Sequence, residues 1–191
     1  MPPHVRYTRE AVVDAAVEVV RRGGAQALNA RAIAAQLGCS TQPLYSVMPN
    51  MDALRAAVYK RAAQIFTDSV TGAKPNGMPP YKAAGMALLR FANEERELYK
   101  LLLLRNRNGE QEQGEDPSLA QASDAEYAAI MKATGYSLDK ARDFHAHMFV
   151  YIQGLAAMIA SGYLPYQEGM CSQLLTDEYQ ALRLLYDQKQ P

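Results

Sequence analysis

The feature that most constrains the fold is a pair of short helical segments around a glycine, residues 29–54 (NARAIAAQLGCSTQPLYSVMPNMDAL). Ile33 and Leu37 lie four residues apart and therefore share one face of a helix. Gly38 follows at the position where a helix most readily ends in a left-handed turn. Ser40 is the predicted N-cap of the second helix. A helix, a glycine turn and a second helix with polar leading residues predict a helix-turn-helix.

The residue types within this segment are more specific than its helical layout. Ala34 is small where two helices must approach each other closely, and Leu44, together with Val47 or Met48, supplies the inward face of the second helix. The run I-A-x-x-L-G-x-S-x-x-x-L-Y ends at Tyr45 and resembles the TetR family of transcriptional regulators, with Asn50 and Leu54 continuing the pattern. The resemblance implies an N-terminal DNA-binding domain of three helices, followed by a helical domain that binds an effector and dimerises.

The chain departs from the family pattern at three positions. Val47 and Met48 stand where TetR-like proteins usually have His and Phe, although either residue still fills an apolar position. Met51 stands where they usually have a Lys that contacts a DNA phosphate. One charge contact to DNA is therefore expected to be missing.

Length and charge set the broad class of the protein. A chain of 191 residues can bury a substantial core, and we expect neither a transmembrane helix nor a secretory signal. Two cysteines far apart, Cys39 and Cys171, predict no disulfide framework and fit the cytoplasm. The net charge is zero, but residues 1–60 hold seven Lys/Arg against four Asp/Glu and are thus positive. The positive end is the one with the helix-turn-helix motif.

The whole chain is predicted to be all-α, with about nine helices and no strand. We expect a DNA-binding domain over residues 1–50 and a ligand-binding and dimerisation domain over residues 51–191, connected by a helix over 51–70 with Leu54, Val58 and Ile65 facing inward. Polar, glycine-bearing or proline-bearing segments at 71–80 and 105–117 are predicted loops. Besides the two motif helices, the remaining helices are expected from Thr8 to Gly23-Gly24, over 81–93, 95–104 and 118–134, from Ser137 or Asp139 to Ser161, and over 167–189.

The polar face of the second motif helix is the predicted DNA interface. A glutamine such as Gln42 can form two hydrogen bonds with adenine, and Thr or Pro can contact a thymine methyl group. Tyr and Ser suit phosphates, which fix position without specifying sequence. The predicted DNA-binding residues are Arg31, Ser40, Thr41, Gln42, Pro43, Tyr45, Ser46 and Asn50.

The remaining helices contain two further sets of candidate residues. Methionine and tyrosine side chains on helices that surround the effector cavity in TetR-like proteins suit an adaptable, mainly apolar pocket. This predicted effector-binding set is Met86, Leu89, Tyr99, Tyr127, Met131, His147, Met148 and Tyr151. The last two helices have more apolar surface than one core face needs, so each lies either in the middle of a large core or against a second subunit. The resemblance implies a homodimer, because TetR-like proteins dimerise through their last two helices. The predicted dimer interface is Ile152, Ile159, Leu175, Tyr179, Leu182 and Tyr186.

No arrangement of residues indicates an enzyme. His145 and His147 are two residues apart and point about 200° apart around a helix, so they cannot chelate one metal alone. No catalytic motif, cofactor or metal site is predicted. The sequence predicts a dimeric regulator, more often a repressor in families like this, that binds double-stranded operator DNA and releases it when a small apolar or aromatic effector binds. The alternative is an all-α enzyme or carrier that uses the same cavity without binding DNA.

Overall fold

The structure is a computed structural model and describes residues 7–72, 77–104 and 123–188. Within these residues the chain is all-α, as predicted, with nine α-helices, one short 3-10 turn and no strand. The predicted loop at 105–117 lies outside the described residues. The helices are α1 (Arg9–Gly23), α2 (Ala30–Leu37), α3 (Gln42–Val47), α4 (Met51–Thr71), α5 (Pro80–Glu94), α6 (Arg96–Leu103), α7 (Asp124–Thr134), α8 (Leu138–Ala160) and α9 (Glu168–Gln188).

The chain forms two compact units. Among the described residues, unit 1 comprises those up to Thr67 together with Glu95–Leu104, and unit 2 comprises Asp68–Glu94 and the residues from Ser123 onward. The expected boundary after residue 50 therefore does not coincide with the break between the units. Most of α4 and all of α6 belong with the helix-turn-helix, so the covalent link between the units is not α4 alone.

Unit 1 is built on α1, which packs against α2 and α6. Thr8 caps α1 by accepting a hydrogen bond from the amide of Ala11, as the sequence predicts. The apolar side of the helix, which includes Val12 and Val20, is fully buried. Gly24 ends the helix with a φ of 74°, a conformation that favours glycine.

The helix-turn-helix forms as predicted, with one correction. Gly38 adopts the left-handed conformation (φ 69°, ψ 32°) at the end of α2, and Ile33 and Leu44 are buried on the inner faces of α2 and α3. Ser40 is not the N-cap of α3. That position belongs to Thr41, whose side chain makes no capping hydrogen bond. Its backbone is helical (φ −73°, ψ −17°) instead of extended, as a capping residue requires, and Pro43 has no amide hydrogen to donate.

The start of α4 is capped by Asn50, whose Oδ1 accepts a hydrogen bond of 2.8 Å from the amide of Ala53. Leu54 and Val58 are buried, as predicted. Ile65, expected to face inward, is only half-buried, and the neighbouring Phe66 is buried instead. The apolar stripe of α4 is therefore rotated by one residue in its second half.

Unit 2 packs α5 against α7, α8 and α9. The helices approach closely at Gly85, where an added Cβ would lie 3.2 Å from the Cδ1 atoms of Ile152 and Leu175. An aromatic cluster is centred on Phe144 of α8, whose ring contacts those of Tyr136, Tyr179 and Tyr186 at centroid distances of 5.2–5.9 Å. These contacts place α9 firmly on α8 within one chain.

Candidate nucleic-acid interface

The outer face of α3 is a polar surface on a short helix. Gln42, Tyr45 and Ser46 are exposed, with 51% of Tyr45 accessible to solvent. Leu44, on the opposite side of α3, and Met48, which follows the helix, are only 2% exposed each and hold this segment against the rest of unit 1. A helix of six residues has little stability of its own, so this packing is what presents the polar face.

Two hydrogen bonds change what individual predicted residues can do. The Ser46 hydroxyl donates to the carbonyl oxygen of Pro43 at 2.6 Å, so its oxygen remains free only to accept. Asn50 uses its Oδ1 to cap α4, which leaves the amide nitrogen of its side chain for a phosphate. Both residues therefore have structural roles that the sequence analysis did not assign to them.

Arg31 lies in the first turn of α2 and is exposed. It has no hydrogen-bond or ion-pair partner among the residues that the structure describes. By contrast, Arg55 pairs with Asp52 and Arg61 pairs with Asp14, each at 3.0 Å. Among the described residues, Arg31 therefore has no acidic partner for its positive charge, and it lies close in sequence to the turn that positions α3.

Two hydrogen bonds hold the end of α2 in place, one from Tyr7, which lies two residues before α1, and one from Arg22 of α1. The Tyr7 hydroxyl donates to the carbonyl oxygen of Leu37 at 3.2 Å, at the end of α2. Arg22, in the last turn of α1, donates from Nη1 to the Oε1 of Gln36 at 3.0 Å. The polar α3 face therefore sits on a scaffold whose orientation is set from α1.

The predicted effector-binding residues do not form one set in the structure. Tyr99 is fully buried but belongs to unit 1, whereas the other seven belong to unit 2. Met131 and His147 are exposed, so the predicted inward orientation of Met131 is wrong. Within unit 2, Met86, Leu89 and Met148 are buried and Tyr127 and Tyr151 are half-buried.

The sequence analysis selected His147, but the structure buries His145. The Nδ1 of His145 lies 2.9 Å from the hydroxyl of Tyr81, and the rings of Tyr81, Tyr127 and Phe149 surround it at centroid distances of 5.6–6.0 Å. Burial lowers the pKa of the His145 imidazole, which favours its neutral form, although the charge of Glu126 opposes this. Burial raises the pKa of the Tyr81 phenol, and the negative charge of Glu126 raises it further. A neutral, hydrogen-bonded pair thus lies inside unit 2.

The predicted dimer residues lie mostly in the core of their own chain. Ile159, Leu175 and Leu182 are buried, and Tyr179 and Tyr186 pack on Phe144. Ile152 contacts the Gly85 position, as described above. The large apolar side chains that α8 and α9 expose are a different set: Val150 (72% exposed), Leu184 (66%), Leu185 (42%), Met158 (40%) and Leu138 (40%).

No group of three or more His, Cys, Asp or Glu residues in the described ranges is arranged to hold a metal ion. Among these same residues, no helix combines the length and apolar character that a membrane span requires. The two free cysteines lie in different units, Cys39 half-buried beside the turn and Cys171 buried in α9.

Solved structures provide the comparison that decides the fold. A TetR-like transcriptional regulator from Rhodococcus sp. RHA1 superposes with a TM-score of 0.66 at 19% identity over 100% of both chains. The chain has the fold of TetR-like transcriptional regulators. A second transcriptional regulator from Rhodococcus sp. Rha1 gives 0.63 at 18% identity, covering 91% of this chain and 94% of its own. A TetR family member from Streptomyces coelicolor A3 gives 0.57 at 19% identity, covering 89% and 96%.

No protein-family model and no curated protein sequence matches the chain. At this level of identity the structural likeness establishes the TetR-like fold, which the motif over residues 29–54 predicts. The helix-turn-helix occupies the N-terminal part of the chain, as the resemblance implies.

Proposed function

We propose that this protein is a transcriptional regulator that binds double-stranded DNA through α3. The observation that supports the proposal most is the exposed polar face of α3, which the buried Leu44 and the left-handed Gly38 turn hold in place. Gln42 at the start of α3 is suited to a base edge, because glutamine forms paired hydrogen bonds with adenine. Tyr45 and Arg31 are suited to phosphates.

The test is a gel-shift titration on DNA that flanks the gene, at several salt concentrations. Replacing Gln42 with Ala should relax discrimination at one base position by about 1–3 kcal/mol. Replacing Arg31 with Ala should weaken binding to all sequences alike and lower the salt slope by about one. Gln180→Ala, an exposed glutamine on α9 in unit 2, is the matched control and should leave both quantities unchanged.

We propose that the protein partner of this chain is a second copy of itself, in a homodimer. Both α8 and α9 expose large apolar side chains, above all Val150 and Leu184, and exposed apolar surface of this kind is typical of an interface between proteins. A charged residue placed in such a seam would be buried without a partner, at a cost of several kcal/mol. Val150→Glu and Leu184→Glu should therefore shift sedimentation from dimer to monomer.

Leu138→Glu is the control for the dimer test. Leu138 is also an exposed leucine of α8, but it lies about 120° around the helix from Val150 at 100° per residue. We expect this variant to sediment as the wild type does. An unchanged dimer in a folded Val150→Glu/Leu184→Glu double variant would exclude this face as the interface.

We further propose that unit 2 binds a small, mainly apolar effector and that binding lowers affinity for DNA. Buried methionines with half-buried tyrosines, and the neutral pair of Tyr81 and His145, offer an apolar environment with one polar anchor. Reciprocity requires that DNA weaken effector binding by the same factor, usually about 5–150-fold. Calorimetry on a candidate compound with and without DNA measures this factor, and equal affinities would end the proposal for that compound.

A second candidate function is an all-α enzyme or carrier that does not bind DNA. The buried Tyr81–His145 pair is the observation that favours it, since such pairs also occur in catalytic sites. The two functions are distinguished by the gel shift, because only a DNA-binding protein responds to Gln42→Ala there.

A further inference from the structure

The residue that connects unit 2 back to unit 1 is Glu95. Glu94 is the last residue of α5 and belongs to unit 2, whereas Glu95 begins the second segment of unit 1 and is the only residue between α5 and α6. Its carbonyl oxygen accepts the first helical hydrogen bond of α6, from the amide of Tyr99 at 2.8 Å. Along the backbone, the end of α5 is therefore joined to the start of α6 by Glu95 alone.

The carboxylate of Glu95 is bound by α1. Arg21 donates from Nε to Oε2 at 2.8 Å and from Nη2 to Oε1 at 2.7 Å, a bidentate arrangement that fixes direction as well as distance. Arg21 also pairs with Glu18 on its own helix. Glu95 makes no side-chain capping bond to α6, although it occupies the N-cap position, because its carboxylate is engaged by Arg21 instead.

The end of α1 and the start of α6 are also in close packing contact. A Cβ at Gly24 would lie 2.8 Å from the Oε2 of Glu97, so the carboxylate of Glu97 lies directly against the end of α1. Leu98 and Leu102 of α6 are fully buried in unit 1. The ion pair thus lies on a packed contact between α1 and α6 and is not an isolated surface interaction.

The next residue of α1 contacts the helix-turn-helix. Arg22 reaches Gln36 in the last turn of α2 at 3.0 Å, just before the turn that positions α3. Two consecutive arginines of α1 therefore contact the α5–α6 junction and the helix-turn-helix, respectively. The backbone of α1 joins these two contacts, so a displacement of one arginine by the junction also moves the other.

We infer that Arg21 and Glu95 form a latch that transmits displacements of α5 to the helix-turn-helix through α1. This inference rests on the proposed regulation and adds a route, separate from α4, by which effector binding would change DNA binding. Its test needs neither DNA nor effector, so it can fail while the proposed function stands, and the reverse also holds. Arg21 and Glu95 are positioning residues, because neither is placed at the DNA or effector surface.

The test is amide hydrogen exchange, measured by mass spectrometry on the full-length chain. Arg21→Gln removes the pair from the α1 side and should speed exchange in residues 91–94, the last turn of α5, by about two- to fivefold, the range expected for one partly solvated ion pair. Glu95→Gln removes it from the junction side and should speed exchange at residues 36–41, which include the turn, to a similar degree. The double variant should add little to either single variant, because both changes remove one shared interaction.

Asp14→Asn is the matched control. It breaks another α1 ion pair of unit 1, to Arg61, that does not involve the α5–α6 junction. Exchange at 91–94 should match the wild type in this variant. Arg21→Lys keeps the positive charge but cannot form both hydrogen bonds to the Glu95 carboxylate, so it should speed exchange at residues 91–94 less than Arg21→Gln does. This variant replaces Arg21→Gln in the test if Arg21→Gln does not fold.

Two results would overturn the latch. One is faster exchange confined to α1 and α6 in both single variants, with residues 91–94 and 36–41 unchanged. The other is an Asp14→Asn effect on residues 91–94 equal to that of Arg21→Gln, because the response would then reflect general loosening of α1.

Discussion

Truncation of Leu44 to Ala tests whether α3 is held by its buried side. Leu44 is 2% exposed, and α3 has only six residues, so the helix depends on this contact and on Met48, which follows it. Removing a buried leucine side chain costs about 2–5 kcal/mol, from lost transfer free energy and the cavity that remains. We expect Leu44→Ala to lower the free energy of unfolding of unit 1 by an amount within this range.

The measurement combines urea unfolding followed by circular dichroism with hydrogen exchange of residues 42–47. Exchange of α3 should accelerate strongly, whereas the helices of unit 2 should keep the exchange rates of the wild type. Tyr45→Ala is the control, because the Tyr45 side chain is 51% exposed. Its removal should change the free energy of unfolding by no more than about 0.5 kcal/mol. A Leu44→Ala effect as small as that of Tyr45→Ala would refute the reasoning.

Three further predictions concern unit 2. Gly85→Leu should destabilise it by about 1–3 kcal/mol in chemical denaturation through overpacking, whereas Gly169→Leu, which faces open space, should not. Because burial lowers the pKa of His145, folded-state stability should fall as pH drops below about 6.5, the ordinary histidine value, and a His145→Gln variant should flatten that dependence in thermal melts. The hydrogen bond from Tyr136 lowers the pKa of the Asp187 carboxyl and therefore stabilises the folded protein when this carboxyl is charged. This contribution to the free energy of unfolding is present above about pH 3.9 and is lost as the pH falls through the lowered pKa of the folded state. An NMR titration of Tyr136→Phe should therefore find the Asp187 pKa raised.

The helix-turn-helix could be predicted because its determinants are local. The spacing of Ile33 and Leu37, the glycine at 38 and the apolar Leu44 are visible within 12 residues, and each forms the structure that its chemistry favours. The N-cap of α3 was misplaced by one residue because Ser40 and Thr41 are both good caps, and sequence alone does not decide between neighbours.

The unit 2 residues were harder to predict because several helices there are apolar on more than one side. Periodicity identifies such helices but does not tell which side faces the chain's own core and which faces outward. For this reason periodicity identifies the apolar side of α9 that holds Tyr179 and Tyr186 but does not show that both rings pack on Phe144 of the same chain. The exposure of Val150 and Leu184 becomes visible only when that core is formed.

The contact of Arg21 with Glu95 could not be predicted because the two residues are 74 positions apart. A charged residue in the last turn of one helix and another at a helix junction are common features of helical proteins. Only the docking of α6 on α1 brings them together, and that docking depends on long-range packing of buried leucines. The same limitation applies to the pairing of Tyr81 with His145, which are 64 residues apart.

Selection from a pool of random duplexes at about 0.15 M salt measures whether α3 recognises a DNA sequence. We expect the wild-type protein to enrich one sequence in which each mismatched base pair costs about 1–3 kcal/mol. Gln42→Ala should lose the preference at one position of that sequence, and Gln180→Ala should keep it. If the folded wild-type protein enriches no sequence above the starting pool, α3 does not recognise DNA by its sequence.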